Sequence, residues 1–203
     1  GIYSDDKSIY IDCMGYSEKV VNIDELNILG SHNTENAMAA IGCGVCAGVP
    51  LELIRTVLKE FKAVEHRIEY VKTVNGVDYY NDSKGTNPDA SIKAVLAMKS
   101  PICLIAGGYD KGSDFTEWVS IFKGRVKYVA VIGAVREQLK ATLKKCGFTY
   151  YEVAESFEEA FNMCVSKAEK GDCVLLSPAC ASWDMFDSYE QRGEIFKQLV
   201  AKL

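Results

Sequence analysis

The chain has 203 residues, 48% of them hydrophobic and 25% charged, and its formal net charge is −5 at pH 7. This composition is ordinary for a globular protein of one or two domains, and its acidity argues against a broad nucleic-acid-binding surface. No apolar run reaches the ~18 residues that a membrane-spanning helix needs, and no secretory signal opens the chain. The eight cysteines lie scattered in apolar contexts, so we expect reduced thiols in a cytoplasmic protein with no membrane partner. Because the first residue is glycine, we expect a piece of a longer chain.

Residues 1–68 combine short apolar runs, SIYIDCM and LNILG, with two predicted helices. HNTENAMAAIGCGVCAG predicts a helix rich in small residues, and Pro50 opens a second helix with one apolar face. The small residues favour close helix packing, and we expect Cys43 and Cys46 to lie in the core, since one CxxC pair is not enough for zinc. The polar stretch that follows predicts a boundary between domains 1–68 and 69–203.

Residues 69–97 predict a hairpin, a loop and a helix. Asn75-Gly76, between EYVKTV and VDYY, is the strongest short signal for a two-residue hairpin turn. Asn87 followed by Pro88 predicts a helix N-cap and first helical residue. The loop NDSKGTN therefore ends at a helix N-terminus, whose free N–H groups suit a carboxylate or a phosphate. A capped surface loop with its charges in water is the alternative interpretation of these residues.

From residue 101 onward, predicted strands and helices alternate. We expect strands at 101–107, 127–133, 149–153 and 172–178, and helices at 114–123, 135–146, 156–169 and 184–202. Ser156 and Glu159 form a capping box for the third of these helices. Near-continuous hydrophobic strands between helices predict an α/β fold with a mostly parallel, Rossmann-like sheet and helices on both faces. Ligands of such sheets bind at the carboxyl ends of the strands, where NDSKGTN, GGYDKGSDF and SPACASWDMF are expected.

The residues at that edge suit carboxylates and phosphates. Lys84 and Lys111 supply positive charge, and the forked guanidinium of Arg67 matches phosphate oxygens. Taken singly, residues at this edge have simpler explanations. A lysine can lie in a surface turn, and Ser182 can cap the last helix. The sequence shows no Ser–His–Asp triad, no cluster of metal ligands and no GK[ST] phosphate loop.

Five segments together resemble the Mur ligase family. They are HNTENAMAA, EHRIE, NDSKGTNPDA, GGYDKGSDF and SPACASWDMFDSYEQRGEIF, in the order and at the spacing of that family's motifs, and they most resemble its D-glutamate-adding members. The combination of DSKGTN, SPACASWD and a closing ExRGxxF is specific, whereas each motif alone is weak. The resemblance implies that residues 1–68 end a P-loop-type ATPase central domain and that residues 69–203 form the amino-acid-binding domain.

The resemblance also implies a reaction and its partners. ATP would phosphorylate the terminal carboxylate of UDP-N-acetylmuramoyl-L-alanine, and the amine of D-glutamate would then attack the acyl phosphate. Such chemistry depends on positioning and on charge stabilisation at phosphoryl oxygens. The family's UDP-binding domain, phosphate loop and magnesium ligands are not in these residues, so we expect Mg²⁺ to be held elsewhere and the isolated chain to be inactive.

Site residues follow from the resemblance position by position, and no metal ligand is among them. Those implied to contact ATP are Asn33 and Asn36 on the side of the base, Arg67 at the phosphates and Asp82 at the ribose. Those implied to contact D-glutamate are Thr86, Lys111, Ser182 and the backbone around Tyr189. Lys84 and Lys111 are implied to be catalytic through their positive charge.

Two other functions stay open on the sequence. One is a stand-alone α/β module that binds an anionic metabolite without catalysis, which a GK[ST] loop and a UDP-binding domain encoded upstream would exclude. The other is a sister ligase such as a folylpolyglutamate synthetase, which SPACASWD disfavours because that motif is associated with the D-glutamate enzymes.

Overall fold

The computed structural model describes residues 1–109 and 112–203, and it divides the chain into two compact units, Gly1–Ala63 and Val64–Leu203. The division falls before the boundary that the sequence predicts at 68/69. His66 and Ile68, which precede the predicted boundary, bond within the second unit: the His66 carbonyl accepts from Lys84 N at 3.0 Å and Ile68 N donates to Asp82 Oδ1 at 3.2 Å. The described helices include none long and apolar enough to cross a bilayer.

The first unit contains a three-stranded antiparallel sheet and two α-helices. The strands are β1 (Ile2–Ser4), β2 (Ser8–Cys13) and β3 (Tyr16–Asn22), and the helices are α1 (Ser31–Cys46) and α2 (Leu51–Glu60). Both helices were predicted.

Close packing between α1 and α2 explains the small residues of α1. A Cβ added to Gly44 would come within 2.9 Å of Ile54 Cδ1, so the expected approach of the two helices is confirmed. Cys43 and Cys46 are exposed, and the prediction that they lie in the core is wrong. Helix α1 instead buries the face that carries Ala37, Ile41 and Val45.

The second unit is built on a six-stranded sheet of order β4-β5-β9-β6-β7-β8, in which only the β4–β5 pair is antiparallel. Its strands are β4 (Glu69–Val74), β5 (Val77–Asn81), β6 (Ile102–Gly107), β7 (Val126–Ile132), β8 (Tyr151–Val153) and β9 (Cys173–Leu176). Its helices are α3 (Pro88–Ala97), α4 (Thr116–Ser120), α5 (Arg136–Lys145), α6 (Phe157–Lys167) and α7 (Tyr189–Ala201). The expected α/β fold with a mostly parallel sheet is confirmed.

Local signals placed several of these elements well. Val74 pairs with Val77 across the hairpin, and Asn75 and Gly76 have the positive φ angles, +53° and +78°, that a two-residue turn requires. The caps of α3 and α6 also form as predicted, because the Asn87 side chain accepts from Ala90 N at 2.9 Å and Ser156 Oγ from Glu159 N at 3.1 Å.

Both faces of the sheet are buried. On one face, alternate residues such as Ile105 and Ala130 pack against Phe161 of α6 and Phe196 of α7. The residues between them point to the other face, and Leu104, like its counterparts on β7 and β9, is also fully buried. Burial on both sides accounts for the near-continuous hydrophobic strands and leaves the loops at the carboxyl edge to carry polar residues.

Candidate functional site at the carboxyl edge of the sheet

Loops that follow neighbouring parallel strands meet at one edge, as the strand order requires. Asp82 follows β5 and Ser177 follows β9, and the Ser177 hydroxyl donates to Asp82 Oδ2 at 2.7 Å. Tyr109 follows β6, and its N–H donates to the carbonyl of Ala181 at 2.9 Å. The motifs NDSKGTN and SPACASWD, 95 residues apart at this contact, therefore form one site.

Asp82 lies beneath the surface of this site. Only 4% of the residue is exposed, and its Oδ1 accepts from Ile68 N while its Oδ2 accepts from Ser177 Oγ. Burial raises the pKa of the Asp82 carboxyl to about 7, and the bonds from Ser177 and Ile68 oppose that rise. The carboxyl is therefore divided between its protonated and ionised forms near neutral pH, and each oxygen keeps a second lone pair.

A second hydroxyl connects this carboxylate to α3. Ser177 Oγ lies 2.8 Å from Ser91 Oγ, which accepts from Ala179 N at 3.0 Å. A Cβ added to Gly85 would overlap Asp82 Oδ2 and would come within 3.1 Å of Ser91 Oγ. The glycine of NDSKGTN thus allows the loop to close over the buried carboxylate.

Arg67 is presented by a strained segment. His66 and Ile68, on either side of it, have φ angles of +63° and +48°, and the left-handed region is unfavourable for a β-branched isoleucine. The bond from Ile68 N to Asp82 and a bond from His66 N to Glu69 Oε2 at 2.9 Å stabilise this backbone. Arg67 itself is exposed, so its guanidinium is available to an anion.

His66 is a buried member of the same network, with 5% of the residue exposed. Asn81 Oδ1 accepts from Ser83 N at 3.1 Å, which places Asn81 Nδ2 2.9 Å from His66 Nδ1 as the donor. The Nδ1 atom must then accept, so the proton of the neutral ring lies on Nε2. His66 therefore supports the position of its neighbour Arg67.

The described residues expected at the D-glutamate end lie on two segments of the carboxyl edge. Lys84 and Thr86 lie half-buried on the loop before α3, and Lys84 Nζ is 5.6 Å from the centre of the Tyr189 ring. Ser182 is 2% exposed, and Tyr189 begins α7. Lys111 lies outside the described residues.

Asn33 and Asn36 belong to the first unit, on the first turns of α1. Asn33 Nδ2 donates to the carbonyl of Leu29 at 2.8 Å, and Asn36 Nδ2 donates to Asn33 Oδ1 at 3.2 Å.

Two buried polar residues at the site were missed by the sequence analysis, Ser83 and Arg192. They are 0% and 1% exposed, and they bond to each other. Burial lowers the pKa of the Arg192 guanidinium to about 10, so it stays charged at neutral pH. The signal was present in the closing ExRGxxF, in which an arginine shares a helix face with the buried Phe196.

One group of described residues has the composition of a metal site. Ligand atoms of Glu65, His66 and Glu194 lie within 4.8 Å of one another. Lys197 Nζ is 2.6 Å from Glu194 Oε1 and also bonds to Glu65 Oε1, so an ammonium group already supplies positive charge there. We assign no metal to this group.

Comparison with known families establishes the class of protein. Residues 66–180 match the family model described as Mur ligase, glutamate ligase domain. The match covers more than half of the chain, includes all of NDSKGTN and ends within SPACASWD. The chain belongs to the Mur ligase family.

Individual relatives of known name are similar to this chain over all or most of its length. A UDP-N-acetylmuramoylalanine–D-glutamate ligase of Thermoanaerobacter sp. (strain X514) is 52% identical over 205 aligned positions, which cover 100% of this chain and 45% of the relative. The ligase of the same name from Lachnospira eligens is 55% identical over 184 positions, covering 91% of this chain and 41% of the relative. The chain thus spans about half the length of these curated relatives, and the similarity is to their C-terminal portion.

Solved structures show the same fold at low sequence identity. A UDP-N-acetylmuramate–alanine ligase of Thermotoga maritima superposes with a TM-score of 0.67 at 18% identity, covering 87% of this chain and 39% of that one. A folylpolyglutamate synthase of the same organism gives 0.62 at 23% identity, covering 97% and 45%. Since ligases with different names share the fold, the fold alone does not select the amino acid.

Proposed function

We propose that this chain is the C-terminal part of a cytoplasmic ligase that joins D-glutamate to UDP-N-acetylmuramoyl-L-alanine in cell-wall synthesis. Identity of 52% to a ligase of that name supports the amino acid. The observation that carries the proposal is the meeting of NDSKGTN and SPACASWD around Asp82 and Ser177. A stand-alone binding module is disfavoured by alignment of the whole chain with part of a longer enzyme.

The groups proposed to bind ATP include both a cation and a carboxylate. We assign Arg67 to the phosphates because its guanidinium is exposed and the residues on either side of it, His66 and Ile68, are hydrogen-bonded to carboxylates. We assign Asp82 to the ribose, since each carboxylate oxygen has a lone pair left beyond the one that Ile68 or Ser177 uses. Asn33 and Asn36 are assigned to the base.

The glutamate side requires cations and hydroxyl groups for two carboxylates. Thr86 and Lys111 are assigned to one carboxylate, and Ser182 with the backbone near Tyr189 to the other. Lys84 adds positive charge, which would stabilise the oxygens that become more negative when the amine attacks the acyl phosphate. That attack forms the C–N bond. The C–O bond to phosphate then breaks and releases phosphate, and the proton from the amine passes to solvent. Magnesium and the triphosphate are assigned to residues outside these 203, because the sequence has no GK[ST] loop.

A chimeric enzyme tests the function and its substrate together. In the Thermoanaerobacter sp. ligase, the aligned part, 45% of its length, would be replaced by this chain. We expect ATP-dependent phosphate release with UDP-N-acetylmuramoyl-L-alanine and D-glutamate, and little with L-glutamate. Within the chimera, Thr86→Ala should raise the KM for D-glutamate more than that for ATP, and Arg67→Ala should do the reverse.

The matched controls are the isolated chain, expected to be inactive, and the unaltered Thermoanaerobacter enzyme. A folded chimera that prefers another amino acid would refute the assigned substrate.

A further inference from the structure

Arg192 connects separate loops of the carboxyl edge from below. Its Nε donates to Ser83 Oγ at 2.9 Å, and its Nη2 donates to the carbonyl of Ser83 at 2.8 Å and to that of Cys180 at 3.1 Å. Its Nη1 lies 3.4 Å from the carbonyl of Ala181. Only 1% of Arg192 is exposed, and its guanidinium contacts protein groups.

Ser83 and Gly108 connect Arg192 to two more segments of the chain. While Ser83 Oγ accepts from Arg192, its hydroxyl donates to the carbonyl of Tyr189 at 2.7 Å, at the start of α7. A Cβ added to Gly108 would overlap the carbonyl of Ala181 and come within 3.4 Å of Arg192 Nη1. The segments that follow β5, β6 and β9 therefore all pack around one guanidinium.

We propose that Arg192 is a positioning residue that holds Ser83–Thr86 and Cys180–Ser182 at the separation a dicarboxylate needs. This inference rests on the proposed function, since Thr86 and Ser182 are the groups assigned to the two ends of D-glutamate. The physical basis is the planar guanidinium, whose donors are fixed relative to one another and meet backbone carbonyls that are themselves fixed. A lysine has one nitrogen and cannot reproduce that fork.

Amide hydrogen exchange in this chain tests the positioning. The reporters are Lys84 N–H, bonded to the carbonyl of His66, and Ala181 N–H, bonded to the carbonyl of Tyr109. We expect Arg192→Met and Arg192→Lys each to speed exchange at both reporters by about tenfold or more, since local opening needs only a small loss of free energy. Amides in the middle of β6 and β7 should keep their protection.

Two further variants keep the test decisive. Arg136→Met removes an arginine that is paired with Glu155 near the same edge, and it should leave both reporters unchanged. Ser83→Ala removes the hydroxyl between Arg192 and Tyr189 and should speed exchange at both reporters. This variant replaces Arg192→Met in the test if Arg192→Met does not fold. Unchanged reporters, or an equal rise throughout the sheet, would overturn the proposal. Wild-type exchange in Arg192→Lys would show that charge, not geometry, matters and would overturn it as well.

Titration with D-glutamate separates this inference from the proposed function. Amide signals of Thr86 and Ser182 would be followed by NMR, and we expect both Arg192 variants to bind about tenfold more weakly than the wild type, a loss of about 1.4 kcal/mol. If the wild-type chain responds to a different dicarboxylate and not to D-glutamate, the assigned amino acid fails while the positioning role stands. Equal affinity in wild type and variants would refute the positioning role.

Discussion

Burial raises the pKa of Asp82, and the same carboxyl group stabilises the backbone beside Arg67. The residue is 4% exposed, and its carboxyl group accepts from the N–H of Ile68, whose φ is +48°. Its ionised form is disfavoured by desolvation, yet the ionised form is the better acceptor. One side chain therefore combines an electrostatic cost with the stabilisation of a strained backbone.

We expect the free energy of unfolding of Asp82→Asn, relative to that of the wild type, to increase as the pH rises. Between the ordinary pKa of 3.8 and the folded value of about 7, the folded state binds a proton that the unfolded state has released. The contribution of Asp82 to the free energy of unfolding therefore falls as the pH rises through this window, by at most about 4 kcal/mol. The amide removes this titration and keeps an acceptor for Ile68 N.

Thermal unfolding at about pH 5 and about pH 8 measures the effect. The melting temperature of Asp82→Asn minus that of the wild type should be more positive at the higher pH. Asp6→Asn, at an exposed position of the first unit, is the control for a general change in charge. A difference that is the same at both pH values would show that the pKa of Asp82 is not raised.

At the scale of elements, caps and turns decide where the helices of the site begin. Helix α3 begins at Pro88 with Asn87 as its N-cap, and this places Thr86 directly before the cap. Helix α7 starts at Tyr189 and not at 184, because the Ser182 carbonyl accepts from Met185 N and Phe186 N in a separate turn. Its N-cap is Ser188, whose hydroxyl accepts from Gln191 N.

Removing the cap of α3 should destabilise the second unit measurably. Asn87→Ala loses the acceptor for Ala90 N and should cost about 1 kcal/mol. For a domain of this size, that lowers the melting temperature by about 2–4 °C. Asn87→Ser, which can accept the same bond, should recover most of the loss in calorimetry. Equal melting temperatures for the alanine and serine variants would contradict the role of the cap.

At the scale of the whole molecule, the second unit has a core of its own. Its six-stranded sheet packs against α6 and α7 through buried residues that all follow position 63. His66 and Ile68 add to that unit, since both are buried, His66 bonds to Asn81 at the end of β5, and Ile68 bonds to Asp82 just after it. The first unit has a separate core between its sheet and its two helices.

Two truncations test where the second unit begins. We expect residues 64–203 alone to unfold cooperatively in urea. Residues 69–203, cut at the boundary that the sequence predicts, should be less stable by about 2 kcal/mol or more, because the buried side chain of Ile68 is lost. Equal midpoints for the two truncations would show that residues 64–68 contribute nothing to this fold.

The sequence by itself determined the elements whose causes are local. Asn75-Gly76 required a tight turn, Asn87-Pro88 and Ser156 began helices, and apolar runs between helices implied a buried parallel sheet. Motif order alone led to the Mur ligase family, which the match over residues 66–180 confirms.

Tertiary structure decided what depends on distant partners. The division into units places Ile68, whose N–H donates to Asp82, in the second unit, and the exposure of Cys43 and Cys46 followed from which face of α1 meets its neighbours. The place of Arg192 beneath the site was also hidden, since its acceptors at Ser83 and Cys180 are 109 and 12 residues away. Periodicity can report that a residue faces inward, but only the folded chain brings its hydrogen-bond partners together.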